Sequence, residues 1–340
     1  MKAPTSDTRR VNTPGWTALQ KPNALQRSAQ PVHRLQGIRY PGRDYRIPAF
    51  YMITMSTFAR KPLFANCTNR QSLLTHDGWL VHDRWHRMAK DYAEIETSTL
   101  MIMPDHFHGI VRVTAPMEKP VGVPLRAFKS QVTSALRQRY GNPKLQVWMP
   151  GYHDLAVWRK GSLSAYIHYI MDNPRRYCLK RDNPELFTCV NRLRHTRLPA
   201  NETWSGYGNL FLLDKPEIRA VRVSRNVDPV KLEMMSKAID EWARGGGVIA
   251  SPFISPGEKE LGRVALDAGG SVIVMRPNGF ARTFKPGGRH FDHCVQGRML
   301  FLACRSPAGS DSTLSREMCL AMNQWCEHIA NALQTINRRT

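Results

Sequence analysis

The alternation of apolar and polar positions divides this chain into two parts, and the first part reads as strands and helices in a mixed order. The predicted elements are a strand at 50–58, a helix at about 79–95, strands near 97–103 and 107–113, a helix that Pro124 begins, a strand at about 152–158 and a helix from about 162. The order β-α-β-β-α-β followed by one extra helix predicts an α+β ferredoxin-like (split βαβ) domain. Such a fold offers an open sheet face, which suits nucleic acid without proving it.

Beyond about residue 205 the pattern changes to alternating strands and helices. The predicted elements are a helix at 229–246, a strand at 247–251, a helix that begins at Pro256, a strand at 271–275 and a last helix at about 313–335. Because a helix connects the two buried strands, we expect them to be parallel. The second part is therefore expected to be a smaller α/β Rossmann-like domain.

These patterns predict four segments along the chain. They are an arm at 1–45, the α+β domain at 46–190, a linker at 191–205 and the α/β domain at 206–340. The arm is polar and basic, with arginines or lysines at Arg9, Arg10, Lys21, Arg27, Arg34, Arg39 and Arg43. It either follows a phosphate backbone or is a solvated tail, and both readings stay open.

The composition of the chain indicates which class of partner it binds. The 340 residues carry a formal charge of +22, which favours nucleic acid and, less often, an anionic membrane surface. No apolar stretch approaches the roughly 20 residues that span a bilayer, and no signal peptide is recognisable, so a membrane is the weaker option. The seven cysteines are scattered and include no C-x-x-C. Reduced thiols, in a cytoplasmic protein associated with the nucleoid, fit this pattern best.

Two histidines stand one residue apart in the stretch MIMPDHFHGIVRV. If this stretch is a strand, His106 and His108 point to the same face. Two neutral imidazoles on one side can hold a divalent cation. In a chain with twelve histidines such a pair arises easily by chance, so it needs support from elsewhere.

A second stretch, SAYIHYIMDNPRRY, supplies that support. At helical spacing its apolar side chains share one side, which then faces the core: Leu163, Tyr166, Ile167 and Ile170. Tyr169 and Asn173 are neighbours at i and i+4, at the margin of that apolar side. Asn173 precedes a proline and so lies near the helix end. Two histidines on the sheet can meet these side chains there.

The residue types match a specific chemistry. A phenol is a poor nucleophile at neutral pH unless its target is made electrophilic. A divalent ion bound by His106, His108 and the amide oxygen of Asn173 can polarise a phosphate and orient it for attack by Tyr169. The product is a covalent phosphotyrosine link to DNA. Because the bond energy is retained, joining the strand again needs no ATP.

Four motifs in order, PDHFHG, LRAFKSQVTSAL, PGYHDLAV and YIHYIMDNPRR, resemble those of the REP-associated tyrosine transposases, which belong to the HUH superfamily of single-strand nucleases. The resemblance covers about residues 45–188. It implies an enzyme that nicks and rejoins single-stranded DNA next to hairpins with Mg²⁺ or Mn²⁺. It also implies that His106 and His108 are the paired histidines, Tyr169 the nucleophile and Asn173 the third ligand.

Several further side chains are candidates in the first domain. The candidates for DNA binding are Arg126, Lys129, Arg137, Arg175 and Arg176. An exposed helix lysine such as Lys129 is about as consistent with simple solvation. His153 and Asp154 border the site or are structural, and Asp105 is expected to cap the preceding turn.

The second domain resembles, more faintly, the Rossmann-like DNA-processing-protein-A and lysine-decarboxylase-like families, in IASPFISPGEKEL, GGSVIVMRPNGF and FKPGGRHFDHCVQGRMLFLA. Four residues are candidates for binding a phosphate there: Ser251, Ser255, Gly257 and Asn278. The dinucleotide motif G-x-G-x-x-G is absent. A nucleotide-binding domain and a purely structural or DNA-docking domain both remain open.

Together these observations favour a tyrosine transposase, mobile or domesticated, that acts on single-stranded or hairpin DNA as a monomer or homodimer. Two alternatives stay open. One is a hairpin-DNA binding protein whose nuclease activity is dispensable, and the other is a metal-dependent phosphodiesterase in which water attacks instead of Tyr169.

Overall fold

A computed structural model describes residues 43–157, 161–282, 284–304 and 314–336, which belong to one compact unit. Most of the expected arm lies outside these ranges. Its last residues pack on the protein, because Arg43 Nε donates to the Tyr51 hydroxyl at 3.1 Å and Tyr45 is buried. Residues 43–45 are therefore part of the folded unit.

The first part of the chain contains six strands and four helices among the described residues. In chain order they are β1 (Ala49–Ser56), β2 (Ala65–Thr68), β3 (Gln71–Leu74), α1 (His76–Asp91), β4 (Ile95–Met103), β5 (His106–Val113), α2 (Gly122–Arg139), β6 (His153–Val157), α3 (Ser162–Met171) and α4 (Asn173–Asp182). Four of the strands form an antiparallel sheet in the order β4-β5-β1-β6, and β2 and β3 form a separate hairpin. This hairpin lies between β1 and α1 in the chain and was not predicted.

Helices α1 and α2 cover one face of the four-stranded sheet. Alternate residues of β1 are buried on that face, where they join the apolar side chains of both helices in one core cluster. Trp85 of α1 lies directly over Gly109 of β5. A Cβ atom at position 109 would lie 2.3 Å from Cζ2 of Trp85, so only glycine fits. The glycine after the two histidines therefore serves the core, on the face opposite their side chains.

The helix ends differ from the predicted ones for local reasons. Helix α1 begins at His76 because the Thr75 side chain caps it, accepting from the Gly78 amide at 3.1 Å. Helix α2 begins at Gly122, and Pro124 lies inside its first turn, where a missing N–H costs nothing. The predicted third helix is two helices, α3 and α4, which meet at Asp172.

The second part contains six strands and four helices among the described residues. They are β7 (Cys189–Leu193), β8 (Trp204–Gly208), β9 (Ile218–Ala220), α5 (Pro229–Arg244), β10 (Val248–Ser251), α6 (Pro256–Asp267), β11 (Ser271–Arg276), α7 (Arg289–Val295), β12 (Met299–Ala303) and α8 (Arg316–Ile336). The sheet order is β7-β8-β12-β11-β10-β9. Strands β10 and β11 are parallel, as predicted, and β8 and β7 extend the sheet as antiparallel strands.

Residues 191–205, expected to be a linker, contribute to this second sheet. Strand β7 and the start of β8 lie within or beside that range. Between them Arg197 is only 1% exposed, and its guanidinium donates to the carbonyls of Ile329 at 2.8 Å and Lys215 at 2.6 Å. These strands are short and irregular in pattern, which explains why the sequence suggested a linker.

The observed architecture is mixed α/β, compatible with an α+β nuclease domain followed by a Rossmann-like domain. The structure describes all seven cysteines, and none forms a disulfide. Within the described ranges, no helix combines the length and the apolar character that crossing a bilayer requires.

Candidate active site

The two histidines lie on the sheet face opposite α1 and α2. In the register of the sheet Thr54 of β1 is opposite His108 of β5 and also opposite His153 of β6. Opposed residues of neighbouring strands share a face, so these three side chains form a row across the sheet. His106 is two residues before His108 on the same face, and the two rings lie with centroids 4.9 Å apart.

A two-residue turn, Pro104–Asp105, fixes where β5 begins. The carbonyl of Asp105 accepts from the amide of Thr57 at 2.9 Å and from its hydroxyl at 3.0 Å. The carbonyl of Pro104 accepts from the amide of Leu63 at 2.8 Å. Both turn carbonyls are thus held by the segment after β1, and His106 follows the turn as the first residue of β5.

The Asp105 side chain orients the His106 ring. Its carboxylate lies 2.6 Å from Nδ1 of His106 and accepts at 3.2 Å from the guanidinium of Arg60. Burial alone raises the pKa of Asp105, but the hydrogen bond and charge of His106, together with Arg60, outweigh it and lower that pKa. An ionised carboxylate can only accept a hydrogen bond, here from Nδ1–H, so the lone pair of His106 is on Nε2. Asp105 thus contacts the ring instead of only capping the turn.

Thr54 holds His108 in a similar way. The Thr54 hydroxyl lies 2.7 Å from Nδ1 of His108, and the ring is 6% exposed. Burial first, and then the positive charges of His106, Lys285 and Arg60, lower the pKa of His108 to about 3. The ring is therefore neutral at neutral pH. When Nδ1–H donates to Thr54, the lone pair of His108 is also on Nε2.

Tyr169 of α3 lies beside this pair. Its ring centroid is 5.8 Å from that of His108, and the side chain is 40% exposed. Tyr166 on the same helix is half-buried. The Asn173 side-chain nitrogen donates to the carbonyls of Tyr169 at 2.8 Å and Ile170 at 3.2 Å. Asn173 is thus folded back on the turn that carries Tyr169, and its amide oxygen is the atom that can act as a ligand.

The donor set is compatible with more than one ion. Among the described residues no group of three histidine, cysteine, aspartate or glutamate side chains is arranged to hold a metal. His106 and His108, whose Nδ1 atoms are both engaged, are the described residues that could offer two nitrogen donors on one face, and the Asn173 oxygen is the third donor that the sequence predicted. Mg²⁺ and Mn²⁺ both accept oxygen ligands and water, so water can complete the coordination of either ion at such a set.

Most candidate DNA-binding side chains have protein partners. The Lys129 ammonium donates to the carbonyls of Met149 at 2.9 Å and Gly151 at 2.8 Å, and burial lowers its pKa. Arg137 Nε donates to a carbonyl at 3.1 Å, whereas Arg126 is exposed. Lys129 and Arg137 therefore hold the segment before β6, and DNA would have to compete for them.

Two arginines of α4 reach the second part of the chain. Arg175 donates to Asp172 at 2.5 Å and to Asp292 at 2.7 Å, and Arg176 donates to the carbonyl of Pro286 at 2.9 Å. In the structure both therefore connect α4 to the segment around α7.

The two border candidates lie on opposite faces of the sheet. His153 is exposed and belongs to the row of Thr54 and His108. Asp154 is 5% exposed and accepts from the Tyr45 hydroxyl at 2.8 Å. His153 is thus on the site's face, whereas Asp154 supports the core.

The candidate phosphate site in the second part is filled by a side chain of the chain itself. The Ser255 hydroxyl caps α6, and the buried Glu258 carboxylate accepts from the amides of Ile254 at 2.7 Å and Ser255 at 3.1 Å. A Cβ atom on Gly257 would lie 2.5 Å from a methyl group of Val223. A phosphate at this helix start would have to displace Glu258. Two other candidates lie nearby: Ser251 is fully buried at the end of β10, and Asn278 is half-buried after β11.

Sequence reasoning missed Thr54 and Arg60 and gave Asp105 a different role. Thr54 lies in an apolar run about fifty residues before the histidines, where only the strand register shows that it contacts His108. Asp105 is adjacent to His106, so its position did contain a usable signal. An aspartate beside a ligand-type histidine is a common supporting arrangement.

Comparison with known proteins gives partial matches. No protein-family model matches the chain. An uncharacterized protein of Haemophilus influenzae is 25% identical over 163 residues, a match that covers 42% of this chain and 89% of that protein.

Two solved structures are each similar to part of the chain. A REP-associated tyrosine transposase bound to a REP hairpin matches 41% of this chain and 74% of its own, with 19% identity and a TM-score of 0.32. DNA processing protein A from Helicobacter pylori, described for its single-stranded DNA binding mode, matches 43% of this chain and 67% of its own, with 18% identity and a TM-score of 0.32. The structural neighbours are thus a transposase and a single-stranded-DNA-processing protein, at a distance that assigns no family.

Proposed function

We propose that this protein is a tyrosine transposase that nicks and rejoins single-stranded DNA, with Tyr169 as the nucleophile and His106, His108 and Asn173 as ligands of Mn²⁺ or Mg²⁺. The observation that carries the proposal is the position of an exposed phenol 5.8 Å, between ring centroids, from a buried, neutral histidine of a same-face pair. The sequence motifs add hairpin DNA as the expected substrate. The charge of +22 suits a polyanion.

The residues of the chain divide the chemistry between them. The Tyr169 oxygen attacks phosphorus as its phenolic proton leaves to solvent, and a P–O bond to the tyrosine forms. The P–O bond to one flanking deoxyribose breaks, and that oxygen takes up a proton and leaves as a hydroxyl group. Attack by a DNA hydroxyl on the phosphotyrosine reverses both changes and rejoins a strand without ATP.

A divalent ion held by His106, His108 and Asn173 would supply positive charge that polarises the phosphodiester. Asp105 and Thr54 hold the two imidazoles in the orientation that such an ion needs, and the Asp105 carboxylate also favours the tautomer of His106 with its lone pair on Nε2. The 40% exposure of Tyr169 gives a DNA strand access to the phenol, while burial of His108 keeps that ring in place.

The test is a covalent adduct that survives SDS. With a labelled hairpin oligonucleotide and Mn²⁺, the unmodified protein should form a labelled band of higher mass. Tyr169→Phe keeps the ring and removes one hydroxyl, so binding should persist while the adduct and the nicking disappear. Tyr166→Phe is the matched control on the same helix and should keep both.

The same gel separates the alternatives. Nicking that persists in Tyr169→Phe without any adduct would mean that water attacks, as in a metal-dependent phosphodiesterase. If the unmodified protein binds the hairpin but gives neither nicking nor adduct, the protein only binds hairpin DNA.

A further inference from the structure

The segment between β11 and α7 lies against the start of α4. The carbonyl of Pro286 accepts from Arg176 at 2.9 Å, and the Arg176 guanidinium lies 4.0 Å from the centre of the Phe291 ring. Arg175 donates to both Asp172 and Asp292, at 2.5 and 2.7 Å. A loop of the second part is therefore held at the helix junction that follows Tyr169.

Lys285 is the basic residue of this loop that comes directly before the held carbonyl. Its side chain is exposed. The carbonyl of the next residue, Pro286, accepts from Arg176 of α4 at 2.9 Å, and α4 begins at Asn173, four residues after Tyr169. Lys285 therefore lies beside the start of the helix that follows Tyr169.

The surroundings of Lys285 are rich in positive charge. Burial first, and then the charges of Lys285 and Arg176, lower the pKa of Lys180 to about 8. The two nearby carboxylates, Asp172 and Asp292, are already bonded to Arg175. Within the described residues no hydrogen bond or ion pair of the Lys285 side chain is found. An uncompensated cation at such a place favours an anion from outside the protein.

Lys285 differs in this respect from four of the five basic residues that the sequence suggested for DNA binding, and the fifth, Arg126, is exposed on α2. Lys129, Arg137, Arg175 and Arg176 all donate to groups of the protein itself. A phosphate can approach Lys285 without displacing such a partner. The next residues, Gly287 and Gly288, have no atom within 4 Å of where a Cβ would lie, so the loop is also open on that side.

We propose that Lys285 binds a backbone phosphate of the DNA strand beside the one that Tyr169 attacks, so that the second part of the chain completes the DNA-binding site of the first. This inference rests on the proposed function, since it assumes that single-stranded DNA occupies the site. It gives the Rossmann-like part a role in holding substrate that needs no nucleotide ligand.

The test measures binding without cleavage. In full-length Tyr169→Phe protein with EDTA, affinity for a fluorescent single-stranded oligonucleotide is measured by anisotropy over a range of salt concentrations. The loss of one phosphate contact should make the slope of log K against log salt less steep by about 0.7. At 0.1 M salt this corresponds to a roughly fivefold lower affinity. Lys285→Ala should show this change, and Lys285→Arg should restore the slope. Lys231→Ala removes an exposed lysine of α5 and should leave the slope unchanged.

The outcomes separate this inference from the proposed function. Binding with the same slope in Lys285→Ala as in its parent would overturn the role of Lys285 and leave the nuclease proposal untouched. An equal loss in Lys285→Ala and Lys231→Ala would show a nonspecific effect of net charge and would also overturn it. Absence of any DNA binding by the parent protein would overturn both. Unchanged circular dichroism checks that each variant is folded.

Discussion

At the scale of single residues, the candidate site includes two side chains that hold its histidines. Thr54 and Asp105 each lie within 2.7 Å of the Nδ1 atom of one histidine. Both contacts hold an imidazole in its orientation, and the Asp105 carboxylate, which can only accept, also keeps the lone pair of His106 on Nε2. Arg60 in turn binds Asp105 from a backbone conformation with φ of 57°, which is uncommon for a residue with a side chain.

Replacing Thr54 tests this support. Thr54→Val keeps the shape and removes the hydroxyl that contacts His108, so we expect Mn²⁺ affinity to fall roughly 10- to 100-fold with the fold intact. Isothermal titration with Mn²⁺ measures it. Thr97→Val is the matched control, since the Thr97 hydroxyl lies 3.4 Å from Nδ1 of His86, away from the site. Equal Mn²⁺ affinities for the unmodified protein and Thr54→Val would show that the hydroxyl does not support the site.

At the scale of elements, the two faces of the first sheet differ: one carries the candidate site residues, and the other packs on the core. One face of β5 presents His106 and His108, and the other packs Phe107 and Gly109 under α1 and α2. The strand that carries the histidines is therefore packed closely against Trp85 at Gly109.

Gly109→Ala should disturb this packing. The added Cβ atom would lie 2.3 Å from Trp85, and overpacking of this kind costs about 1–3 kcal/mol. We expect a lower midpoint in urea unfolding, followed by circular dichroism. Gly287→Ala meets no atom within 4 Å and should change the midpoint little. An unchanged midpoint for Gly109→Ala would mean that α1 can move away from the sheet at little cost.

The sequence predicts those elements whose apolar positions repeat regularly. Helices α1, α2 and α5 and strands β1, β5, β10 and β11 have a regular apolar pattern, and each was placed within a few residues. Strand β9 has three residues, α7 has seven, and β7 is a short outer strand, so none repeats long enough to give a signal. That His106 and His108 lie on one face could be predicted from the two-residue period of a strand alone. The contact with Thr54 depended on strand register, which local sequence does not encode.

At the scale of the whole molecule, the second part of the chain is joined to the helix junction after Tyr169. The contacts are Arg175 with Asp292 and Arg176 with the carbonyl of Pro286. Both arginines were expected to bind DNA, and their alternative role depends on a fold that brings residues more than 100 positions apart into contact. Pattern reasoning on a single sequence cannot supply such pairs.

The charge of the chain predicts how binding responds to salt. Residues 1–42 contain seven lysines and arginines and one aspartate, and each basic residue that neutralises a phosphate contributes roughly 0.7 to the slope of log K against log salt. Deleting residues 1–42, and not beyond, keeps Arg43 and Tyr45, which pack on the sheet. We expect a smaller slope for single-stranded DNA and an unchanged melting temperature. An unchanged slope would show that the arm does not bind the backbone.

The most direct test of the central claim is to identify the residue that carries DNA in the covalent adduct. The adduct formed with a hairpin oligonucleotide and Mn²⁺ is isolated under denaturing conditions, digested with nuclease and trypsin, and analysed by tandem mass spectrometry. Our account predicts a nucleotide attached through phosphate to Tyr169, whose ring lies next to that of His108. Attachment at Tyr166 or at any other residue would contradict it.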